Sequence, residues 1–156
     1  MADPDDPEVP DDPEVPVVLV GGRGSLPRYA RRGDAGADLV ARVGAVLAAR
    51  GGRALVPTGV ALALPDGYAG LVLPRSGLAA RHGVTCLNAP GLVDSGFRGE
   101  LQVLLVNTDP ENDYEVAPGD RIAQLLVVRS ASARFLEAAT LPPSERGEGG
   151  FGHTGR

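Results

Sequence analysis

The chain of 156 residues contains no lysine, and arginine supplies all 15 of its basic residues. A Walker-type phosphate loop, a Schiff base and a lysine general base each need a lysine, so these mechanisms are excluded. Any binding of phosphate must therefore depend on arginine, on backbone N–H groups or on a metal ion. Tryptophan is also absent, and the aromatic residues are three tyrosines and three phenylalanines. With so few rings and no basic stripe, the sequence predicts no nucleic-acid partner.

Cysteine is nearly absent as well. The single Cys86 cannot form a disulfide within the chain, and its apolar neighbours Val84 and Leu87 predict a small buried core residue. No apolar run approaches the roughly 18 residues that a membrane span needs, and the N-terminus lacks the basic and apolar segments of a signal peptide. These absences favour a protein of the reducing cytoplasm that does not associate with membranes.

Charge is distributed unevenly along the chain. The formal net charge is −5, but residues 1–16 hold seven acidic residues and no basic one, which leaves +2 for the rest. Within this segment, residues 5–10 are repeated unchanged as residues 11–16. Alternating prolines and acids cannot build a core, so residues 1–16 are predicted to be a disordered acidic extension. The net charge of this remainder, rather than that of the whole chain, indicates whether the folded part can bind an anion.

The remainder is divided into short apolar runs rich in valine and leucine. Turn sequences such as Pro65-Asp66-Gly67 separate these runs, which is typical of β-strands. The pattern predicts an all-β sandwich or jelly-roll barrel over residues 17–140. One short helix is predicted over residues 76–82 with Ser76 as its N-cap, and residues 41–50 are predicted to be strand and loop. The predicted strands cover residues 17–20, 54–64, 70–73, 83–87, 99–107 and 122–129.

Residues 146–156 form a glycine-rich tail. Glycine leaves the backbone N–H groups free to curl around an anion, while Arg146, Phe151 and Thr154 add a charged fork, a flat ring and a hydroxyl. Two interpretations are open on these residues alone. The tail is either a frayed terminus or a segment that folds over a ligand with a flat base and a polyphosphate.

Five short polar stretches interrupt the apolar runs, and in their order along the chain they resemble the five motifs of the trimeric dUTP pyrophosphatases. They read Ala-Gly-Ala-Asp-Leu at 35–39, Pro-Arg-Ser-Gly-Leu-Ala at 74–79, Gly-Leu-Val-Asp-Ser-Gly-Phe-Arg-Gly-Glu at 91–100, Asp-Arg-Ile-Ala-Gln-Leu at 120–125, and the tail at 146–155. One such motif recurs by chance in many proteins. Five in order, at similar spacing over the whole domain, identify the chain as similar to this family.

The resemblance implies a dUTPase-like jelly-roll or β-clip barrel with at most one short helix, assembled as a homotrimer with shared active sites. It also implies Mg²⁺-dependent hydrolysis of dUTP to dUMP and pyrophosphate by in-line attack of water on the α-phosphate. Such an enzyme limits the incorporation of uracil into DNA and supplies dUMP for dTMP synthesis. Mg²⁺ suits this chemistry because it prefers oxygen ligands and is held mainly by substrate phosphates.

The third motif supplies the central residues of the expected site. Asp94 lies between glycine-bearing turn sequences, which predicts a β-hairpin with a projecting carboxylate. By resemblance Asp94 is the general base that takes a proton from the attacking water, Asn88 pairs with uracil through its amide, and Gly91 and Val93 belong to the same substrate-binding hairpin. Phe97 stands where the family usually has tyrosine beneath the deoxyribose, and its flat ring excludes a 2′-hydroxyl. Without the resemblance, an exposed turn residue is the commoner interpretation of Asp94, and the alternatives are a turn residue before Pro90 for Asn88 and a core aromatic of the following strand for Phe97.

The resemblance implies that the second and fourth motifs bind the phosphates and that the first motif acts at the metal. Arg75, Ser76, Gly77 and Gln124 hold the phosphate chain, and Ser76 contacts the phosphate bridge near the leaving pyrophosphate. Asp38 acts through water, orienting a metal-bound water or the surroundings of Asp94. A turn aspartate after Gly36 is the alternative for Asp38.

The fifth motif gives the tail its expected role as a flexible lid over residues 141–156. By resemblance Phe151 stacks on uracil and Arg146 reaches the γ-phosphate, while Gly152 and Thr154 also contact the substrate. Closure of such a lid would shut water and Mg²⁺ into the site.

Two alternative functions use the same fold. A dCTP deaminase shares the fold and a similar second motif, but its catalytic glutamate lies three residues before an asparagine in the strand after the hairpin. Counted back from Asn107, that position is Leu104 in this chain. A non-catalytic regulatory module would be expected to lose Asp94 or the tail, and both are present.

Overall fold

Short antiparallel strands make up most of the regular secondary structure in the computed structural model, which describes residues 12–22, 24–144 and 147–148. A 3₁₀ turn (Val20–Gly22) and one α-helix, α1 (Ser76–His82), accompany the strands in these ranges. The strands are β1 (Val17–Leu19), β2 (Ala37–Val40), β3 (Ala45–Leu47), β4 (Arg53–Leu62), β5 (Tyr68–Leu73), β6 (Val84–Cys86), β7 (Gly91–Val93), β8 (Glu100–Asn107), β9 (Tyr114–Val116) and β10 (Arg121–Arg129).

The strands pair into two four-stranded sheets and one two-stranded sheet. The first sheet has the order β1-β4-β8-β6, the second has the order β2-β10-β5-β7, and β3 pairs with β9. Neighbours in the sequence often lie in different sheets, since β7 belongs to the second sheet and β8 to the first. This exchange is the pattern of a jelly roll, so the all-β prediction with one short helix is confirmed.

The core lies between the inner faces of the two large sheets. Along β8, Leu101, Val103 and Leu105 are buried, whereas Gln102 is exposed and Leu104 is half-buried. A strand with period two has one face toward a core and one face away from it. Burying each leucine of this kind stabilises the fold by about 1.5–3 kcal/mol. The largest fully buried apolar side chains include Leu39, Leu47, Leu105 and Ile122.

A β-bulge bends β4 between Pro57 and Ala61, where its pairing with β8 shifts register. Gly59 lies in the bulge with φ of +74°, a conformation that favours glycine. Its N–H donates to the Glu100 carboxylate at 2.7 Å, and Arg42 binds the same carboxylate through Nε and Nη2 at 3.1 and 3.3 Å. These contacts fix the start of β8, immediately after the loop at residues 94–99.

Every apolar run predicted to be a strand contains one, and α1 has the predicted bounds. The predicted N-cap is wrong, because the cap is Arg75 in extended backbone and Ser76 is the first helical residue. Residues 41–50 contain β3 and turns, as predicted. The sequence does not predict β2, β7 and β9, which are only three or four residues long.

The acidic extension contacts the barrel where it is described. Val15 packs against the core, and the carbonyl oxygen of Pro16 accepts a hydrogen bond from the N–H of Ala63 at 3.0 Å. Residues 1–11 lie outside the described residues, so their predicted disorder stays a prediction. In the part of the chain that the structure describes, no helix has the length and apolar character to cross a membrane.

Candidate active site

Asp94 lies in the loop that leaves β7. The β7 strand pairs with β5, whereas β8, the next strand along the chain, pairs with β4 and β6. The predicted hairpin around Asp94 is therefore wrong, since the aspartate lies in a turn that crosses from one sheet to the other. The residue is exposed, so its carboxylate can meet a ligand in solution.

Hydrogen bonds within the loop fix the backbone around this carboxylate. The N–H of Phe97 donates to the carbonyl oxygen of Asp94 at 3.1 Å, which closes a turn. The guanidinium of Arg98 donates to the carbonyl oxygens of Ser95 and Phe97. The backbone that carries Asp94 is therefore held by hydrogen bonds within the loop.

A small cavity of about 170 Å³ lies beside the loop. It brings together five of the predicted substrate and catalytic residues, which are Asn88, Gly91, Val93, Asp94 and Phe97. Its remaining lining is Val72, Leu92, Leu101, Gln102 and Leu104. Apolar walls with a few polar groups are the usual construction of a small-molecule site. An amide and an aromatic ring around such walls suit a small flat ring with a polar edge.

The residues that β5 and β8 contribute to this cavity are not among the predicted site residues. The alternation of β8 contains a usable signal, because Gln102 and Leu104 share the face opposite the buried Leu101, Val103 and Leu105. Leu104 is also the position at which a deaminase of this fold would need a glutamate. The cavity is apolar at that point.

Gly91 allows the Asn88 amide to approach the sheet. A Cβ atom at Gly91 would lie 3.2 Å from Asn88 Nδ2 and 3.3 Å from Val72 Cβ. Both separations are shorter than ordinary van der Waals contact, so a larger residue at this position would push the amide away from the cavity wall.

The ring of Phe97 lies against the backbone of Gly99. A Cβ atom at Gly99 would lie only 2.7 Å from Cζ of the ring. Phe97 remains 42% exposed, so one part of the residue contacts its own loop and another part is open to a ligand. Gly99 therefore determines where the ring lies.

A second group of predicted residues surrounds Asp38, which is 9% exposed. Its carboxylate pairs with Arg75 Nε at 3.3 Å and with Arg121 Nη1 at 3.1 Å, and Gln124 Nε2 lies 3.5 Å away. Arg75 Nη1 also donates to the carbonyl oxygen of Arg121 at 3.1 Å. We call Asp38, Arg75, Arg121 and Gln124 the Asp38 cluster. Asp38 contacts cationic and amide donors here, and its predicted role in orienting a metal-bound water stays a prediction.

The other predicted site residues of the second motif, Ser76 and Gly77, lie in the first turn of α1. Ser76 is exposed there. Gly77 faces the end of the same helix, since a Cβ atom at this position would lie 3.0 Å from Nη2 of Arg81. Arg75, which precedes the helix, connects this turn to the Asp38 cluster.

The cavity and the Asp38 cluster are separate groups within one chain. None of the four cluster residues lines the cavity. The tail residues Arg146, Phe151, Gly152 and Thr154 lie outside the described residues, so their roles stay predictions. Within the tail, the structure describes Gly147 and Glu148, and the N–H of Gly147 donates to Ser144.

Cys86 lies two residues before Asn88 and is buried, as predicted. Burial raises the pKa of its thiol to about 11, so the thiol is protonated at neutral pH and is a poor nucleophile. Across residues 12–22, 24–144 and 147–148, no three His, Cys, Asp or Glu side chains gather into a group that could hold a metal ion.

Comparisons with known proteins identify the family to which the chain is similar. A family model described as dUTPase matches residues 23–155 of the chain. The deoxyuridine 5'-triphosphate nucleotidohydrolase of Bifidobacterium longum subsp. infantis is 58% identical over 131 residues, which cover 84% of this chain and 82% of the relative. The enzyme of the same name from Thermobifida fusca is 56% identical over 130 residues, covering 83% and 72%. A solved structure of a mutant dUTPase from Staphylococcus bacteriophage 80alpha with dUpNHpp has a TM-score of 0.81 and 26% identity, covering 92% of this chain and 99% of that one.

Proposed function

The chain belongs to the dUTPase family, and we propose that it is a dUTP diphosphatase, which hydrolyses dUTP to dUMP and pyrophosphate. The observation that carries the proposal is the small cavity in which Asn88, Phe97 and the exposed Asp94 meet. These residues supply what is needed to bind a pyrimidine, to exclude a ribose and to activate water. In the cytoplasm this activity would limit the incorporation of uracil into DNA and supply dUMP for dTMP synthesis.

The base and the sugar occupy the cavity beside β7. The amide of Asn88 offers both a donor and an acceptor to the polar edge of uracil, while Val72 and Leu104 provide apolar walls. The ring of Phe97 lies beneath the deoxyribose and leaves no room for a 2′-hydroxyl. Steric exclusion of this kind needs the ring and not a phenol oxygen.

Asp94 acts as the general base. A water oxygen attacks the α-phosphorus in line with the bond to the bridging oxygen, and the water proton passes to the Asp94 carboxylate. The bond between the α-phosphorus and the bridging oxygen breaks, and pyrophosphate leaves. The turn bond between Phe97 N–H and Asp94 supports this role, because it fixes the backbone that carries the carboxylate.

The donors present suit Mg²⁺ held mainly by the substrate. Mg²⁺ prefers oxygen ligands and keeps several waters, so the substrate phosphates would supply most of its ligands and Asp38 would orient one of its waters. When bound through the phosphates, Mg²⁺ supplies charge neutralisation and stabilises the negative charge of the leaving pyrophosphate.

The phosphate chain is held by the second, fourth and fifth motifs. Arg75 and Gln124 are already oriented by Asp38, and Ser76 and Gly77 lie beside Arg75 at the start of α1. The tail closes over the nucleotide as a lid, and its ligands are Arg146, Phe151, Gly152 and Thr154.

The active form is a homotrimer in which different chains contribute to each site. Two observations support this assembly. The cavity and the Asp38 cluster do not meet within one chain. The outward face of the first sheet also carries an apolar row beside the cavity, formed by Leu55, Leu104 and Leu87, in which Leu55 is 56% exposed. A second copy that covers this row would lie next to the cavity, because Leu104 belongs to both.

A substrate panel tests the proposed function. The full chain is incubated with dUTP, dCTP, dTTP and UTP, with and without Mg²⁺, while pyrophosphate and ammonia are measured. We expect pyrophosphate from dUTP only, dependent on Mg²⁺. Release of ammonia from dCTP would instead support a deaminase, and no turnover of any nucleotide would support a binding module.

A further inference from the structure

A second and larger cavity, of about 800 Å³, lies where β1 and β2 form the outer edges of the two large sheets. We call it the edge cavity. No residue that lines it also lines the cavity beside Asp94, and the proposed function assigns no role to it or to the acidic extension. We propose that residues 5–10, the first copy of the acidic repeat, bind in the edge cavity of their own chain, in place of the disorder that their composition predicts.

Apolar side chains from both sheets form the floor of the edge cavity. These buried or half-buried side chains are Ala37, Leu62, Leu125 and Val127. At the rim, Leu26 and Tyr29 are 48% and 56% exposed. A volume of this size is in the range of ligand sites, and apolar side chains that pack against such walls are removed from water. The edge cavity therefore favours a segment that carries apolar residues.

The second copy of the acidic repeat already lines the edge cavity. Asp12, Pro13 and Val15 are among the lining residues, and Val15 also packs against the core. Their equivalents in the first copy, six residues earlier, are Asp6, Pro7 and Val9. A peptide with the sequence of residues 11–16 therefore has the chemistry that this cavity contacts, and the first copy repeats that sequence without change.

The first copy is also tethered close to the edge cavity. Asp12 lies in its wall, and an extended chain covers at most about 3.6 Å per residue, so every residue from 5 to 10 stays within about 25 Å of Asp12. Pro10 and Asp11 are typical turn residues, which allows the chain to reverse beside the second copy. A short tether gives an effective concentration in the millimolar range, so weak contacts are sufficient.

The charges of the two partners are complementary. Residues 26–35, which border the edge cavity, contain three arginines and one aspartate and carry a net +2, whereas residues 5–10 carry −3. Arg31 and Arg32 line the edge cavity, are exposed and form no ion pair with a described residue. Asp34 accepts a hydrogen bond from the N–H of Arg31 at 2.8 Å, which closes the turn that carries both arginines. An acidic segment is therefore attracted to this rim.

A second segment with exposed apolar side chains is the alternative occupant. In residues 131–143, Phe135 and Leu141 are 93% and 87% exposed. The charges of Arg134 and Glu137 cancel within this segment, so it has no net charge to match the arginines of the rim. The acidic repeat matches both the apolar floor and the charged rim.

Cross-linking in the full chain tests the proposed contact. Val9→Cys is combined with Ala35→Cys, which lies in the edge cavity, or with Val18→Cys, which is 66% exposed on β1 and does not line it. Each pair is treated with a bifunctional maleimide, to which the protonated, buried thiol of Cys86 is unreactive. We expect the Ala35 pair to cross-link within one chain about tenfold faster than the Val18 pair, although Val18 is nearer in the sequence.

A segment that does not bind in the edge cavity would give the opposite order, because the shorter tether would then decide the rate, and that order would overturn the proposal. A third pair, Phe135→Cys with Ala35→Cys, tests the alternative occupant. If this pair cross-links and Val9 does not react with Ala35, residues 131–143 fill the edge cavity and the proposal is wrong. The mass of the product on a denaturing gel distinguishes links within a chain from links between chains.

Thermal unfolding gives an independent test through the charges. We expect the combined change Asp5→Asn, Asp6→Asn and Glu8→Gln to lower Tm by about 2–4 °C at low salt, and by less at high salt because salt screens the attraction. Arg31→Ala with Arg32→Ala should lower the Tm of the unaltered chain more than that of the neutralised chain.

Arg53→Ala is the control for the arginine variants, since Arg53 is exposed at the start of β4 and does not line the edge cavity. Its effect on Tm should be the same in both chains. Additive effects of the acidic and arginine changes would show that the two groups do not meet, and would reject the proposal. If a cysteine variant does not fold, the Tm comparison still decides the matter. Neither test uses a nucleotide, so their outcome is independent of dUTP hydrolysis.

Discussion

Hydrogen bonds within the loop hold the backbone that carries Asp94. Arg98 ties two carbonyl oxygens of the loop, and the Phe97 N–H closes the turn on Asp94. The backbone geometry therefore does not depend on the Asp94 carboxylate. A change at that carboxylate should alter chemistry while it leaves the cavity intact.

We expect Asp94→Asn to lower kcat for dUTP by about 10² to 10⁴, the usual contribution of a general base. The amide keeps the size and polarity of the side chain but cannot accept the water proton, so dUMP should bind as before. Single-turnover pyrophosphate release and dUMP calorimetry measure the two effects. Asp66→Asn is the control, because Asp66 is an exposed aspartate that contacts Ser95 of the same loop. Pyrophosphate release near the normal rate in Asp94→Asn would remove Asp94 from its proposed role.

The contact between Gly99 and Phe97 predicts a change in sugar selectivity. In Gly99→Ala the new methyl group would meet the ring, which must move away from its present position. We expect the preference for dUTP over UTP, measured as the ratio of kcat/KM, to fall about tenfold. Gly96→Ala is the matched control, since a Cβ atom there has no neighbour within 4 Å. An unchanged ratio in Gly99→Ala would show that the ring position does not set the selectivity.

Among the strands, those with a clear period of two could be predicted, and the shortest could not. β8 alternates over eight residues and buries one face, so its pattern is visible without a structure. β2 has only four residues, one of which is Asp38, and β9 has only three, one of which is Glu115. Such strands have too few side chains to display a period, so they are determined by their pairing with another strand, β10 for β2 and β3 for β9.

The end of β8 is held by the buried amide of Asn107. Its Nδ2 donates to the carbonyl oxygens of Leu47 and Asn112 at 3.0 and 2.9 Å, and its Oδ1 accepts from the N–H of Asp109 at 2.9 Å. One side chain thus joins β3, β8 and the loop before β9. The same loop lowers the pKa of Asp109, because the N–H groups of Asn112 and Glu111 donate to its carboxylate.

We expect Asn107→Asp to destabilise the fold by about 3 kcal/mol or more at pH 7, because a buried carboxylate would face two carbonyl oxygens without a donor. Burial raises the pKa of such a carboxyl group, so it becomes neutral at lower pH and the destabilisation should shrink as pH falls. Urea unfolding at pH 7 and pH 5 measures both effects. Asn112→Ala is the control, since that side chain is exposed and should cost under about 1 kcal/mol. Equal stability of Asn107→Asp and the unaltered chain would contradict the proposed role.

The residue types of the candidate site could be proposed from the sequence, but their arrangement could not be predicted. The motif around Asp94 gave the residues of one group, and the structure places Asn88, Phe97 and Asp94 around one cavity. The contact between Arg121 and Asp38 could not be predicted, because strict alternation along β10 puts Arg121 on the face opposite Gln124 and only the β-bulge between Arg121 and Ala123 reverses that. Nor does the sequence reveal that the Asp38 cluster and the cavity are separate within one chain.

We propose that this separation makes assembly a condition of activity. The apolar row of Leu55, Leu104 and Leu87 crosses β4, β8 and the residue after β6 on the outward face of the first sheet. A contiguous exposed row of leucines is typical of an interface. If copies of the chain meet across it, each cavity gains a neighbour at the side where Leu104 lines it.

Leu55→Glu should therefore abolish assembly and dUTP hydrolysis together, because it places a charge in an interface that must exclude water. The unaltered chain is expected to have three times the 16.0 kDa mass of one chain in light scattering, and the variant the mass of a single chain. Val46→Glu is the matched control, since Val46 is 66% exposed but lies in the small β3–β9 sheet. The far-ultraviolet circular dichroism of both variants should remain that of a β protein. Full turnover by a monomeric Leu55→Glu variant would show that one chain completes its own site, and the lid and the Asp38 cluster would then have to reach the cavity of the same chain.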